Sequence, residues 1–169
     1  MSQTAHLLHE TFLGRCEDWQ DMDSARREVT DALQEDRISR FAVDANNQVI
    51  GWVGGIPEYG GRVWELHPLL VARVWRGRGV GRALVHELEA LARRRGGQTL
   101  WLGSDDENNE TSLSGVDLYS DIPAAIRNFR KLWGEHPCDF YFLLGFCITG
   151  VMPDANGPGK PDIFFAKRL

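Results

Sequence analysis

Cysteine is scarce in this 169-residue chain: Cys16, Cys138 and Cys147 are odd in number and form no Cys-x-x-Cys pair. Neither a disulfide framework nor a zinc site is indicated, and a reducing cytoplasm is the expected compartment. His, Cys and carboxylate residues nowhere fall at metal-ligand spacing, so no metal is expected. No stretch reaches the ~18 apolar residues that a membrane helix needs, and Met1 to Leu8 has no basic segment followed by a long apolar core, so neither a membrane span nor an export signal is expected. Repeats, low-complexity tracts and linkers are missing as well. The expectation is one domain over residues 1–169, large enough to bury roughly 70% of its extended-chain surface.

Glycine, in contrast, is concentrated at one informative place. Arg76-Gly77-Arg78-Gly79-Val80-Gly81 follows the apolar run Trp64 to Val71 and opens a helical pattern. Glycines there let the backbone approach an anion, and the unpaired N–H groups and dipole of a helix start add positive potential. Arg73, Arg76, Arg78 and Arg82 strengthen the same pole, so the segment reads as a cradle for a pyrophosphate. Two other nucleotide loops fit less well. A Walker loop needs Lys-Ser or Lys-Thr after the glycines, and none follows. A dinucleotide fingerprint needs Gly-x-Gly-x-x-Gly, whereas Gly77, Gly79 and Gly81 give Gly-x-Gly-x-Gly. The preceding run also holds Glu65, His67 and Pro68, and the proline predicts a bulge or a strand end.

Net charge is −5, but its distribution is uneven. Arginines gather between Arg73 and Arg95, and acids gather at Glu17 to Asp23, Asp105 to Glu110 and Asp117 to Asp121. An anionic cofactor on one side and a cationic substrate on the other would suit that asymmetry. The acidic total argues against a nucleic-acid groove, despite six tryptophans and the arginines. Arg93-Arg94-Arg95 reads as the last turn of a helix ended by Gly96-Gly97.

Apolar periodicity predicts two short helices at 5–13 and 23–36, the second with Ala25, Val29, Ala32 and Leu33 on one face and Asp23 as N-cap. Strands over Phe41–Asp44 and Val49–Ile56 are joined by a turn at 45–48, and Pro57 to Gly61 turns into the Trp64 strand. A helix from Val80, with Leu84, Leu88 and Leu91 on its apolar face, leads to a strand at Thr99–Leu102, a parallel crossover. Beyond it, helices are expected over Ile122–Trp133 and Pro137–Leu144, and strands over Phe146–Met152 and Ile163–Lys167. The class is α+β, or α/β by looser naming.

The Arg-x-x-Gly-x-Gly spacing resembles the acetyl-coenzyme A signature of the GCN5-related N-acetyltransferases (GNAT). The likeness sharpens to aminoglycoside 6'-N-acetyltransferases of the enterococcal type through Ile56-Pro57-Glu58-Tyr59-Gly60, Trp64-Glu65-Leu66-His67-Pro68-Leu69, Trp101-Leu102-Gly103-Ser104-Asp105-Asp106 and His136-Pro137, the last continuing through Phe140-Tyr141 to Gly145. Gly150 to Gly157 and Lys160 to Ile163 are similar to that family's ending. The likeness spans about Ile50 to Lys167 and is loose before residue 40. It implies a mixed, twisted central sheet with a splayed central strand pair, flanked by helices. That fold usually begins with a strand, for which Met1 to Thr4 leaves little room.

The resemblance also implies a reaction: an amine attacks the thioester carbonyl of acetyl-coenzyme A. It implies that residues 76–82 hold the pyrophosphate and that the backbone of Leu69, Leu70 and Val71 pairs with the pantetheine arm. Attack needs a neutral amine, a stabilised oxyanion and a proton for the thiolate. Glu65 is the candidate to attract the ammonium group and take its proton, directly or through water; otherwise it is a strand residue facing solvent. His67 shares its face if the strand is regular, and either joins the proton relay or is a packed polar group. The Leu69 N–H is the candidate oxyanion donor because Pro68 has none. Tyr141 is implied as the acid toward sulfur, its alternative being a core aromatic. Trp19, Glu58, Tyr59, Glu65, Asp105, Asp106 and Asp139 form the pool for a polycationic aminoglycoside, with Asp105 and Asp106 first because they leave a central strand. Another small amine or a protein amine is the alternative substrate, a non-catalytic acetyl-coenzyme A binding protein is a third class, and a homodimer is implied by relatives.

Overall fold

A computed structural model of the chain describes residues 2–14 and 18–169. Met1, Cys16 and Glu17, on which some of the sequence readings rest, lie outside the described residues. The fold groups into two compact units, Met1–Leu100 with Leu169, and Trp101–Arg168.

In the first unit, helices α1 (Ser2–Phe12) and α2 (Met22–Asp31) precede strands β1 (Ile38–Val43), β2 (Val49–Glu58) and β3 (Val63–Val71), and helix α3 (Val80–Arg94) follows. The three strands are neighbours in chain order and pair antiparallel, as the predicted meander requires. Asp44 makes the first turn by accepting the N–H groups of Asn46 and Gln48 at 2.8 and 2.9 Å. The second is a 3-10 turn, Tyr59–Gly61, in which all three residues have positive φ. Among the described residues no strand precedes α1, which is already helical at Ser2.

Four corrections to the sequence reading fall on α2. It starts at Met22, not Asp23, and stops at Asp31, not Asp36, and its cap is Asp21, not Asp23. The Asp21 carboxylate accepts from Asp23 N and Ser24 N at 2.8 and 2.7 Å, which a side chain inside the first turn cannot do. Ala25, Val29 and Ala32 are buried, but Leu33 lies past the helix end and is 48% exposed. The buried three join Ala5, Leu8, Trp52 and Leu70 in one apolar cluster. Each fully buried leucine or valine there stabilises by about 1.5–3 kcal/mol.

Strand β3 alternates between half-buried and buried along its whole length, so Glu65, His67, Leu69 and Val71 share the more open face. Its pairing with β2 is interrupted: Val53 opposes Leu69 and Gly55 opposes Leu66. His67 and Pro68 therefore oppose the single residue Gly54, a bulge where the proline predicts one. Gly54 has no choice of side chain, because a Cβ would run into the His67 carbonyl oxygen and lie 3.3 Å from Pro68 Cδ.

Helix α3 buries Leu84, Val85, Leu88, Glu89 and Ala92. It ends as expected at Gly96-Gly97: Gly96 has φ 86°, and Gly97 N donates to Ala92 O and Gly96 N to Arg93 O at 2.9 and 3.0 Å, a Schellman ending. Arg95 does more than complement a dipole. Its Nη1 donates to the carbonyls of Glu35, Asp36 and Arg37, and its guanidinium lies 5.6 Å over the Trp64 ring.

Strand β4 (Thr99–Asp105) leads into the second unit, which holds α4 (Ile122–Arg127), α5 (Cys138–Leu143), β5 (Cys147–Met152) and β6 (Asp162–Arg168), with β6 between β4 and β5. The helix predicted through Trp133 stops six residues early. Ser112 N donates to Arg130 O and Arg130 N to Ser112 Oγ, both at 2.9 Å, and Thr111 bridges Lys131. Glu110 O also takes Leu132 N, so the backbone of 130–132 finds partners outside the helix. No helix among the described residues is long and apolar enough to cross a membrane.

Replacing Gly54 with alanine is expected to cost about 1–3 kcal/mol, since the added methyl meets backbone rather than a movable side chain. Urea unfolding of the variant checks it; a midpoint equal to that of the native protein contradicts the bulge register.

Candidate active site

In the first unit the bulge sets a group of polar side chains on the open face of β3. Glu65 sits opposite Ile56, so Glu58, two residues further along β2, lies on the same face and diagonal to it. The Glu65 carboxyl is held above the usual carboxylate range, chiefly by burial and further by the like charges of Glu58 and Glu28, while His67 and Arg37 act against that. His67 keeps to the face of Glu65 despite the bulge. The Trp19 ring lies 5.5 Å from the imidazole and 5.0 Å, edge-on, from Phe12. Trp19 itself has φ 57° and its carbonyl accepts from His9 Nδ1 at 2.8 Å. Tyr59 is 72% exposed at the turn that follows Glu58.

Sequence reasoning passed over one member of this group. Glu28 of α2 lies 3.9 Å from His67 Nε2 through its Oε1, an atom that is buried and makes no hydrogen bond. The signal was available: position 28 is three residues after Ala25 and one before Val29, so the helical period puts it on the edge of the buried face.

Below the bulge, Leu69 opposes Val53 on the open face. Leu70 turns its side chain into the apolar cluster, so only its backbone is available to a ligand. A 3-10 turn, Arg73–Trp75, then leads to the glycines. Gly77 and Gly79 have φ 71° and 85°, the region that the predicted cradle needs, and no heavy atom lies within 4 Å of where a Cβ would stand. The first intrahelical bond of α3 runs from Ala83 N to Gly79 O at 3.0 Å. The N–H groups of Val80, Gly81 and Arg82 precede it and project from the helix end, and no acidic residue stands in that first turn. Arg76 Nε donates to Val71 O at 3.1 Å, tying loop to strand, and Arg78 lies 5.2 Å over the Trp75 ring. An anion at this helix start would meet open backbone and arginines.

The other sequence-predicted residues lie in the second unit. Tyr141 is 8% exposed, its ring packed 5.3–5.7 Å from those of Phe140, Phe146 and Phe165. Burial raises its phenol well above the ordinary value. Asp105 is exposed and accepts from Asn156 Nδ2 at 2.6 Å, and Asp139 pairs with Lys131 at 3.0 Å. Asp106, a first choice for substrate, is a correction: it is 1% exposed and its oxygens are already engaged. Glu110 N and Thr111 N donate to it at 2.7 and 2.9 Å, and Ser114 Oγ donates as well. Burial works to raise its pKa, but these bonds outweigh it and hold the carboxyl below its usual value. It braces the loop after β4.

His136, from the His-Pro block, is also inward. Cys138 N donates to its Nδ1 at 3.2 Å, which leaves the ring proton on Nε2, 3.5 Å from Ser104 Oγ. A ring with that tautomer cannot take the serine's proton, so the pair is structural. Burial lowers its pKa.

With the geometry in view, comparison with known proteins gives the class. The chain matches the acetyltransferase (GNAT) family over residues 3–119 and belongs to it. Its six strands and flanking helices make the mixed, open sheet of that fold. Among solved structures it is similar to an aminoglycoside 6'-N-acetyltransferase complexed with coenzyme A (40% identity, TM-score 0.90) and to the aminoglycoside 6'-N-acetyltransferase from Enterococcus faecium (41% identity, TM-score 0.89), covering 98% of this chain and 88% of each. An aminoglycoside 6'-acetyltransferase type Ii is similar at 35% identity and TM-score 0.73, over 98% of this chain and 87% of that one. No curated protein matches the sequence.

Asp106→Asn sets an amide NH2 among N–H and O–H donors and is expected to cost about 3 kcal/mol, roughly a 10 °C fall in Tm. Because the folded-state pKa lies below the unfolded one, this stabilisation is present above the unfolded pKa and is lost as pH falls through the folded one. Melting curves from neutral to acid pH check it: the native and variant Tm should converge as the solution is acidified.

Proposed function

We propose that this protein is an aminoglycoside 6'-N-acetyltransferase that transfers the acetyl group of acetyl-coenzyme A to the 6'-amine of its substrate and so confers resistance, acting in the cytoplasm as a homodimer. The observation that carries the reading is the group of Glu58, Glu65 and His67 beside Trp19 on the open face of a bulged strand. Carboxylates with an aromatic wall suit a ligand that is polycationic and has little apolar surface. The likeness to 6'-N-acetyltransferases over nearly the whole chain supports it.

The residues fit acetyl-coenzyme A as second substrate. Residues 76–82 offer glycines of positive φ, open N–H groups and arginines to the pyrophosphate, and the backbone of Leu69, Leu70 and Val71 serves the pantetheine arm. When bound, acetyl-coenzyme A supplies an activated acyl carbonyl. Glu65 draws the substrate ammonium by charge and takes its proton, directly or through water, and its raised pKa makes it the stronger base for that step. Leu69 N–H, just past the bulge, is the donor to the carbonyl oxygen as charge builds there. Tyr141 holds its proton throughout the neutral range and is the proposed source of a proton for the departing sulfur. Trp19, Glu58, Tyr59, Asp105 and Asp139 are the proposed contacts to amines and hydroxyls.

The deciding experiment is a substrate panel with acetyl-coenzyme A. Release of coenzyme A thiol with kanamycin or tobramycin, at a kcat/KM well above that for polyamines or a lysine peptide, is the expected result. No release with either drug removes the drug-modifying reading and leaves the other-amine alternative.

Glu65→Gln should lower kcat/KM about 100-fold. In the native enzyme activity should decline on acidification from a higher pH than an ordinary carboxylate would impose, because a base with a raised pKa is protonated sooner. The variant's pH–rate profile should lack that limb; a profile of unchanged shape takes Glu65 out of catalysis.

A further inference from the structure

Beyond the residues assigned so far, α2 contributes the carboxylate of Glu28. Its Oε1 is buried and makes no hydrogen bond, while Nε2 of His67 lies 3.9 Å away. That is an ion-pair distance, about 1 Å longer than a hydrogen bond. A buried carboxylate oxygen left without a donor keeps the full cost of its lost hydration, so its presence calls for one. A substrate ammonium is a poor fit for that role, since this oxygen has no exposed surface. His67 Nε2 is the ring nitrogen placed to supply it.

We propose that Glu28 is a positioning residue that accepts the Nε2 proton of His67 and so fixes the imidazole tautomer and orientation, keeping the Nδ1 lone pair for the proton traffic at Glu65. The inference rests on the acetyltransferase reading given above, to which it adds a residue from α2. The chemistry is that of a carboxylate orienting a histidine: the acid stays put, and the ring presents its other nitrogen unprotonated. Neighbouring elements bound the ring consistently. Trp19 packs against it at 5.5 Å, with its carbonyl held by His9 of α1 at 2.8 Å. The charged groups that act on Glu65 are His67 on β3, Glu58 on β2, Arg37 after α2 and Glu28 itself. Of these the histidine is the one within ion-pair reach of Glu28. Glu28 and Glu65 then both act on one imidazole, and the buried Oε1 of Glu28 has no hydrogen-bond partner of its own.

The test separates this role from a packing role by reading the proton itself. Nitrogen-15 spectra of the ligand-free native protein, recorded above pH ~8, where an ordinary imidazole is neutral, should show the His67 proton on Nε2, with a His67→Gln spectrum assigning the signal. Glu28→Met removes the acceptor and should give a mixture of tautomers and a kcat about tenfold lower, with the KM for acetyl-coenzyme A unchanged. Glu28→Gln keeps an acceptor oxygen and should retain the Nε2 tautomer and a kcat within about twofold of native. A native spectrum with the proton on Nδ1, or a Met variant with unchanged tautomer and kcat, overturns the proposal. Should the Met variant fail to fold, the native spectrum and the Gln variant decide it, loss of the tautomer in the latter counting against. A native protein that acetylates no aminoglycoside would sink the function proposed above, while the spectra would still judge Glu28.

Discussion

The meeting of Gly54 with the His67 carbonyl is the constraint on which the first unit turns. Two residues of β3 pass against one residue of β2, and the space that a side chain at position 54 would fill is taken by main chain. Proline suits that place because it has no N–H to offer a regular ladder. The extra residue does not flip the faces of the strand, so Glu65, His67 and Leu69 stay on the open side while Trp64, Leu66 and Leu70 remain buried. A single local irregularity thus keeps a carboxylate, an imidazole and a backbone amide in line, and the strand still seals the core beneath them.

Charge is arranged around that strand in a graded way. After β3 come the glycines and arginines at the start of α3, while on the strand Glu65 lies in the field of Glu58 and Glu28. Not every arginine serves the first pole. Arg93 and Arg94 pair with Glu89 and Glu87, and Arg95 ties the segment after α2, residues 35–37, to the end of α3. The net excess of acid therefore says little by itself. What distinguishes the carboxylate group is partial burial, since an exposed acid has an ordinary affinity for protons and a solvated cation gains little by approaching it.

The parts legible in the sequence are those written in backbone chemistry. Gly77 and Gly79 at positive φ, the Gly96-Gly97 helix ending and the bulge at Pro68 each follow from what one residue type permits. Strand faces followed from alternation alone. What was not legible depends on partners far away in the chain. Asp106 looks like a loop acid until Glu110, Thr111 and Ser114 fold back on it, and residues 128–133 have a helical pattern that loses to pairing with 110–112. Asp21 took the capping role assigned to Asp23 because the helix began one residue earlier than its apolar period. Glu28 stood on a face that the period had already marked, but a lone acid in a surface helix carries no sign of the histidine it will meet.

Burial raises the pKa of both Glu65 and Tyr141, and in the proposed reaction it acts on them in opposite senses. Glu65 must gain a proton from an ammonium group whose ordinary pKa is ~10, a transfer uphill by several units for an ordinary carboxylate. Every unit by which burial lifts the carboxyl recovers about 1.4 kcal/mol of that climb. Tyr141 must lose a proton to a thiolate of pKa ~8.5, and a phenol lifted above its ordinary ~10 gives that proton up less readily. The environment therefore favours the first transfer and works against the second. A departing thiolate is already a good leaving group, so the second proton matters less to the barrier than the first. An enzyme of this kind can leave its acid untuned within an aromatic cluster, but it cannot leave the amine charged.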